Sequence, residues 1–80
     1  MTEVILLTNG DCRLCEQAKT VLERLALEYP LKVSELTLDS EAGQELARTA
    51  SAPFPPVVFL EGKPFSYGRL SERRLRKALR

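Results

Sequence analysis

Apolar residues fill Val4-Ile5-Leu6-Leu7 without a break, then recur at helical spacing, and the two textures alternate along the chain. The unbroken run predicts a strand over Glu3–Thr8 covered on both faces, as parallel strands are. Asn9-Gly10-Asp11 ends it with turn residues. From Arg13 to about Glu28, Leu14, Ala18, Val21, Leu22, Leu25 and Ala26 keep one helical face dry. Arg13, Glu16, Gln17, Thr20, Glu23 and Arg24 fall largely on the other, and Pro30 stops the helix.

A second strand is predicted over Lys32–Leu38, with Leu36 and Leu38 on one side and Glu35 and Thr37 on the other. Asp39 or Ser40 then caps a short helix through about Arg48 that buries Ala42, Leu46 and Ala50; Gly43 weakens it. Thr49–Pro56 reads as a loop, and Val57–Leu60 as a strand. Glu61-Gly62-Lys63 makes a tight hairpin into Pro64–Tyr67. Gly68 breaks that strand, Ser71 caps, and Leu75, Ala78 and Leu79 stripe a last helix.

The order is therefore βαβ, then α, then ββα. The first half must be parallel with a right-handed crossover, and the second is antiparallel through its hairpin. Together they predict a small mixed sheet flanked by helices.

Eighty residues, 44% of them apolar, supply one core, so residues 1–80 are expected to form a single domain. Met1 suggests a complete chain. No apolar run approaches the ~18 residues of a membrane span, and no secretory leader is visible, so a cytoplasmic location is expected. The net charge of +1 conceals an asymmetry. Residues 69–80 hold Arg69, Arg73, Arg74, Arg76, Lys77 and Arg80 against Glu72 alone. That cluster reads first as the solvated face of the last helix, where cations complement the helix dipole, and second as a docking patch for an acidic partner. No aromatic residues interleave with it, so nucleic acid is not an expected partner.

The chemistry lies in the two cysteines, Cys12-Arg13-Leu14-Cys15, placed after the first strand and opening the first helix. Unpaired N–H groups at a helix start favour the thiolate, and cysteines so placed titrate at roughly 3.5–7.5. The second sulfur, three residues on, can close a disulfide on the first. A loop this short is a poor structural staple, which points to a working redox pair. Arg13 would support a Cys12 thiolate and Asp11 oppose it. Zinc asks for four ligands, and the chain has no His and no third Cys, so no bound metal is expected.

Pro55-Pro56 stands immediately before Val57-Val58-Phe59-Leu60. The segment Pro56–Lys63, with Cys12-x-x-Cys15 upstream, resembles the glutaredoxin and thioredoxin superfamily, and is most similar to the short glutaredoxin-like redoxins. The resemblance spans the whole chain and implies a thioredoxin-like α/β fold, a four-stranded mixed sheet flanked by three helices. It implies a thiol–disulfide oxidoreductase in which Cys12 attacks and Cys15 resolves, with no bound prosthetic group. Pro56 would be the cis proline that lies against the cysteines and presents a backbone edge to an extended substrate. Pro55 has no N–H to offer, so the clamp would be one-sided.

Arg13, Phe54, Pro55, Pro56 and Gly68 are the candidate substrate-binding residues. Phe54 reads either as core packing or as a wall of the substrate groove, and Tyr67 as a sheet residue. Glutaredoxins carry a Lys where this chain has Asn9, and a Gly-Gly turn where it has Gly68-Arg69-Leu70-Ser71-Glu72; thioredoxin's Trp is Asp11 here. Ser66-Tyr67-Gly68-Arg69 is similar to the turn of redoxins recharged by thioredoxin reductase. The reductant thus stays open among glutathione, another low-molecular-weight thiol and a thioredoxin reductase. The expected partner is a disulfide-bearing protein or small molecule, met by a monomer away from membranes. The alternative is a redox-inert or metal-cluster-carrying binding module on the same fold.

Overall fold

The computed structural model describes residues 1–52 and 54–80. Pro53, within the loop predicted over Thr49–Pro56, lies outside the described residues. The elements are β1 (Thr2–Thr8), α1 (Arg13–Ala26), β2 (Leu31–Thr37), α2 (Glu41–Ala50), β3 (Val57–Leu60), β4 (Lys63–Tyr67) and α3 (Glu72–Leu79). They form the predicted mixed sheet in the order β2-β1-β3-β4. β1 pairs parallel with β2, and both β1–β3 and β3–β4 are antiparallel.

The continuous apolar run of β1 has the cause expected of it, because its alternate side chains feed two separate cores. Val4 and Leu6 pack with Ala18, Val21, Leu22, Leu25, Val58, Leu70 and Leu75, on the side of α1 and α3. Leu7 packs with Val57 and Phe59 on the opposite side, where Leu46, Ala47 and Ala50 of α2 close the layer. Truncating a fully buried leucine such as Leu25 or Leu75 would cost about 2–5 kcal/mol, which is why these positions fix the fold.

Several boundaries and faces differ from expectation, each for a local reason. α1 stops at Ala26 rather than Glu28, since the N–H groups of Leu27, Glu28 and Tyr29 turn back onto Arg24 and Leu25 ahead of Pro30. α2 runs on to Ala50, two residues past Arg48, and ends where Ser51 takes a left-handed φ of 53°. Ala26, Ala42 and Ala78 are exposed, because a short side chain at the edge of an apolar stripe does not reach the sheet. In α2 the buried position is instead Gly43. A Cβ there would overlap the Thr37 carbonyl oxygen at the end of β2, so the residue that weakens the helix lets it approach the sheet.

The predicted hairpin forms with Glu61 at φ 50° and Gly62 at φ 80°, two consecutive left-handed residues as a two-residue hairpin loop requires. Ser40 and Ser71 cap α2 and α3 through their side-chain oxygens, which accept from the N–H groups of Gly43 and Arg74. The basic tail is mainly a solvated face, with one exception. Arg76 bonds Glu28 at 2.7 Å and Glu72 at 3.0 Å, and Arg24 pairs with Glu72, so charges stitch α3 to the end of α1. Arg74 lies over the Phe65 ring, 5.3 Å from its centre. No helix among the described residues is long and apolar enough to cross a membrane.

Candidate active site

The site is built where β1 hands over to α1. Asp11, at φ 48°, turns the chain, and Cys12 follows in extended conformation as the N-cap of α1. Its Sγ takes the place usually held by a serine or aspartate oxygen, accepting the N–H of Cys15 at 3.1 Å. Cys12 and Cys15 are joined as a disulfide, with Cα atoms 5.1 Å apart. The two sulfur-bearing residues differ in surroundings. Cys12 is partly exposed, whereas Cys15 is only 2% exposed.

Beside Cys12 lies an open cavity of about 590 Å³ whose charged lining is balanced, Asp11 and Glu16 against Arg13 and Lys19. Arg13 is exposed at the first position of α1. The Glu35 carboxylate, 3.3 Å from the Lys19 ammonium, holds that ammonium above its usual range with help from Glu16, so it stays protonated. With the charges cancelling, the backbone dipoles at the start of α1 are the remaining local bias toward negative sulfur.

The second wall comes from the start of β3. Leu7 of β1 is paired with Val57, so the antiparallel register brings Thr8 and the Cys12 loop to the same end of the sheet as Pro56. The Pro55–Pro56 peptide is cis, and Pro56 is buried. Its carbonyl oxygen accepts the N–H of Gly68 at 2.8 Å. Phe54 is not core: it is 49% exposed, and its ring meets that of Tyr67 edge-on at 5.3 Å. Gly68 is buried at φ 75°, under the Phe54 ring, and a Cβ there would stand 2.9 Å from Phe54 Cε2. Phe54, Pro56 and Gly68 therefore form one unit, with Pro55 half-buried between the first two.

Two participants were not legible as such. Tyr67, 52% exposed, is both a β4 residue and the partner of Phe54. Gln17, predicted on the solvent face of α1, is drawn inward: its Nε2 donates to the Leu70 carbonyl at 3.0 Å, and its Oε1 accepts the Leu70 N–H at 3.1 Å. Helical periodicity gives the direction of a side chain and carries no signal for a partner 53 residues away. Among the described residues no group of three or more His, Cys, Asp or Glu side chains is gathered as metal ligands would be.

No curated protein sequence matches the chain. Solved structures do match in fold. An uncharacterized thioredoxin-like protein from Clostridium perfringens superposes with a TM-score of 0.78 at 19% identity, covering 99% of this chain and 68% of that one. Mitochondrial thioredoxin 3 from Saccharomyces cerevisiae gives 0.72 at 19% identity, covering 98% and 76%. A mutant thioredoxin from Halobacterium salinarum gives 0.71 at 22% identity, covering 98% and 71%. These likenesses are ones of architecture, and the thioredoxin-like arrangement implied by the resemblance is the one observed. Sequence kinship comes from the family described as Glutaredoxin-like domain (DUF836): its pattern matches residues 3–80, nearly the entire chain, and the protein belongs to that family.

Proposed function

We propose that the protein is a thiol–disulfide oxidoreductase that reduces disulfides of proteins or small molecules through Cys12 and Cys15. One observation carries the reading. The sulfur of the partly exposed Cys12 caps a helix and receives a backbone N–H, while Cys15, bonded to it, is shielded from solvent. A hydrogen bond and a helix start both favour sulfur as thiolate, the form that attacks disulfides.

The reaction balances over two exchanges. Cys12 thiolate attacks one sulfur of the substrate disulfide, forming a mixed disulfide and releasing the other sulfur as a thiolate that takes up a proton. Cys15 loses its proton and attacks Cys12 Sγ, which closes the Cys12–Cys15 disulfide and releases the second substrate thiol. The substrate gains two electrons and two protons. They return to the protein from a low-molecular-weight thiol such as glutathione, or from a thioredoxin reductase. Phe54, Pro56 and Gly68 would receive the chain that flanks the substrate disulfide, and Arg13 would border its far side.

The test is turnover of an insulin or peptide disulfide, run with glutathione and with thioredoxin reductase as alternative electron sources. Cys12→Ser should abolish dithiol turnover, and Cys15→Ser should accumulate a mixed disulfide visible by mass. Retention of dithiol turnover by both variants would remove the reading.

A further inference from the structure

A single side chain ties the two halves of the site together. Gln17 lies two residues beyond Cys15 on α1 and grips both polar groups of Leu70, at 3.0 and 3.1 Å, much as a neighbouring strand would. Leu70 is 1% exposed, so its peptide groups depend on protein partners. Two residues earlier in the same turn, the Gly68 N–H holds the Pro56 carbonyl oxygen at 2.8 Å. Helix α1, the turn Gly68–Leu70 and Pro56 thus form one hydrogen-bonded chain with the cysteines at one end.

We propose that Gln17 is a positioning residue, fixing Pro56 and Phe54 against the helix that carries Cys12 and Cys15. The inference rests on the oxidoreductase reading. It assigns to Gln17 the geometry of substrate capture and leaves thiolate formation to the N-cap contact between Cys12 and Cys15. Without the amide, the Leu70 N–H and carbonyl are orphaned, and the turn must move to find water. Gly68 moves with it, and Pro56 loses its register with the cysteine helix. An ionised glutamate at the position would accept from the Leu70 N–H but set a negative oxygen against the Leu70 carbonyl. A protonated one would make both bonds.

The experiment compares wild type, Gln17→Leu and Gln17→Glu in three measurements. In Gln17→Leu, KM for a peptide disulfide should rise about tenfold with kcat nearly unchanged, the scale of one or two lost hydrogen bonds. Alkylation of reduced Cys12 by iodoacetamide should keep its wild-type rate. A wild-type KM, or an alkylation rate that falls by the factor by which KM rises, overturns the proposal. In Gln17→Glu, the ratio of its KM to wild type should climb as pH rises through the carboxyl range, about 4.3. A ratio flat in pH overturns it too, and this variant serves if Gln17→Leu does not fold. Amide exchange separates the proposal from the oxidoreductase reading. Gly68 N–H protection should drop in Gln17→Leu while that of Cys15 N–H holds, whether or not the wild type reduces disulfides. Unchanged Gly68 protection overturns the positioning role; absence of wild-type turnover with lost protection removes only the oxidoreductase reading.

Discussion

The Gly68 N–H reaches the Pro56 carbonyl oxygen across 2.8 Å, binding the residue just after β4 to the one just before β3. It does so at φ 75°, with the Phe54 ring resting where a side chain would be. Gly68→Ala should therefore combine backbone strain with displacement of Phe54, at a cost of about 1–3 kcal/mol. Urea unfolding measures the cost, and an unshifted midpoint would contradict the close packing. Peptide-disulfide KM should rise in the same variant.

Phe54 and Tyr67 are half exposed, and their edge-to-face contact lies outside both cores. Phe54→Ala and Tyr67→Ala should thus each cost about 1–2 kcal/mol, less than truncating a fully buried leucine. If the pair walls a substrate groove, Phe54→Ala should raise KM for a peptide disulfide several-fold and leave a small aliphatic disulfide unaffected. Equal kinetics on both substrates would make the aromatic pair a bystander.

Gly43→Ala offers a change of sign. In an exposed helix interior, alanine is favoured over glycine by about 1 kcal/mol. At Gly43 the added methyl would overlap the Thr37 carbonyl oxygen and crowd the Ser40 hydroxyl, so α2 would have to lift from the end of β2. The expected outcome is destabilisation by about 1–3 kcal/mol, read by thermal or chemical unfolding. A more stable variant would refute the steric account.

The Arg76 guanidinium, hydrogen-bonded to Glu28, holds that carboxyl below its ordinary value of 4.5. A carboxyl lowered in the folded state stabilises the fold above the unfolded value and stops doing so as pH falls through the lower folded one. Wild type should exceed Glu28→Gln in unfolding midpoint at neutral pH, modestly because the pair is solvated, and the two should converge in acid. A gap that persists well below pH 4.5 would place its origin elsewhere.

What the sequence made legible is what local physics decides. Cys12 at the β1–α1 junction, the caps Ser40 and Ser71, and the Glu61-Gly62 hairpin each depend on a few neighbouring residues. Apolar runs in β1 and β3 gave the covered strands for the same reason. Periodicity places Gln17 and Arg76 toward solvent, because Leu70 and Glu28, which draw them inward, lie 53 and 48 residues away. An aromatic before two prolines, as Phe54 is, is compatible with core and wall alike. At Gly43 propensity speaks only to the helix, whereas the deciding quantity is the distance between that helix and a strand end.

That Cys12 caps its own helix makes redox chemistry and folding two readings of one thermodynamic cycle. The atom that trades electrons is also the atom that secures the first turn, so whatever steadies the reduced protein over the oxidised one makes it a stronger oxidant by the same free energy, about 30 mV for each 1.4 kcal/mol. Unfolding free energies of the two redox forms, set against the potential of the unfolded dithiol, would then give the protein's appetite for electrons with no electrode in the experiment.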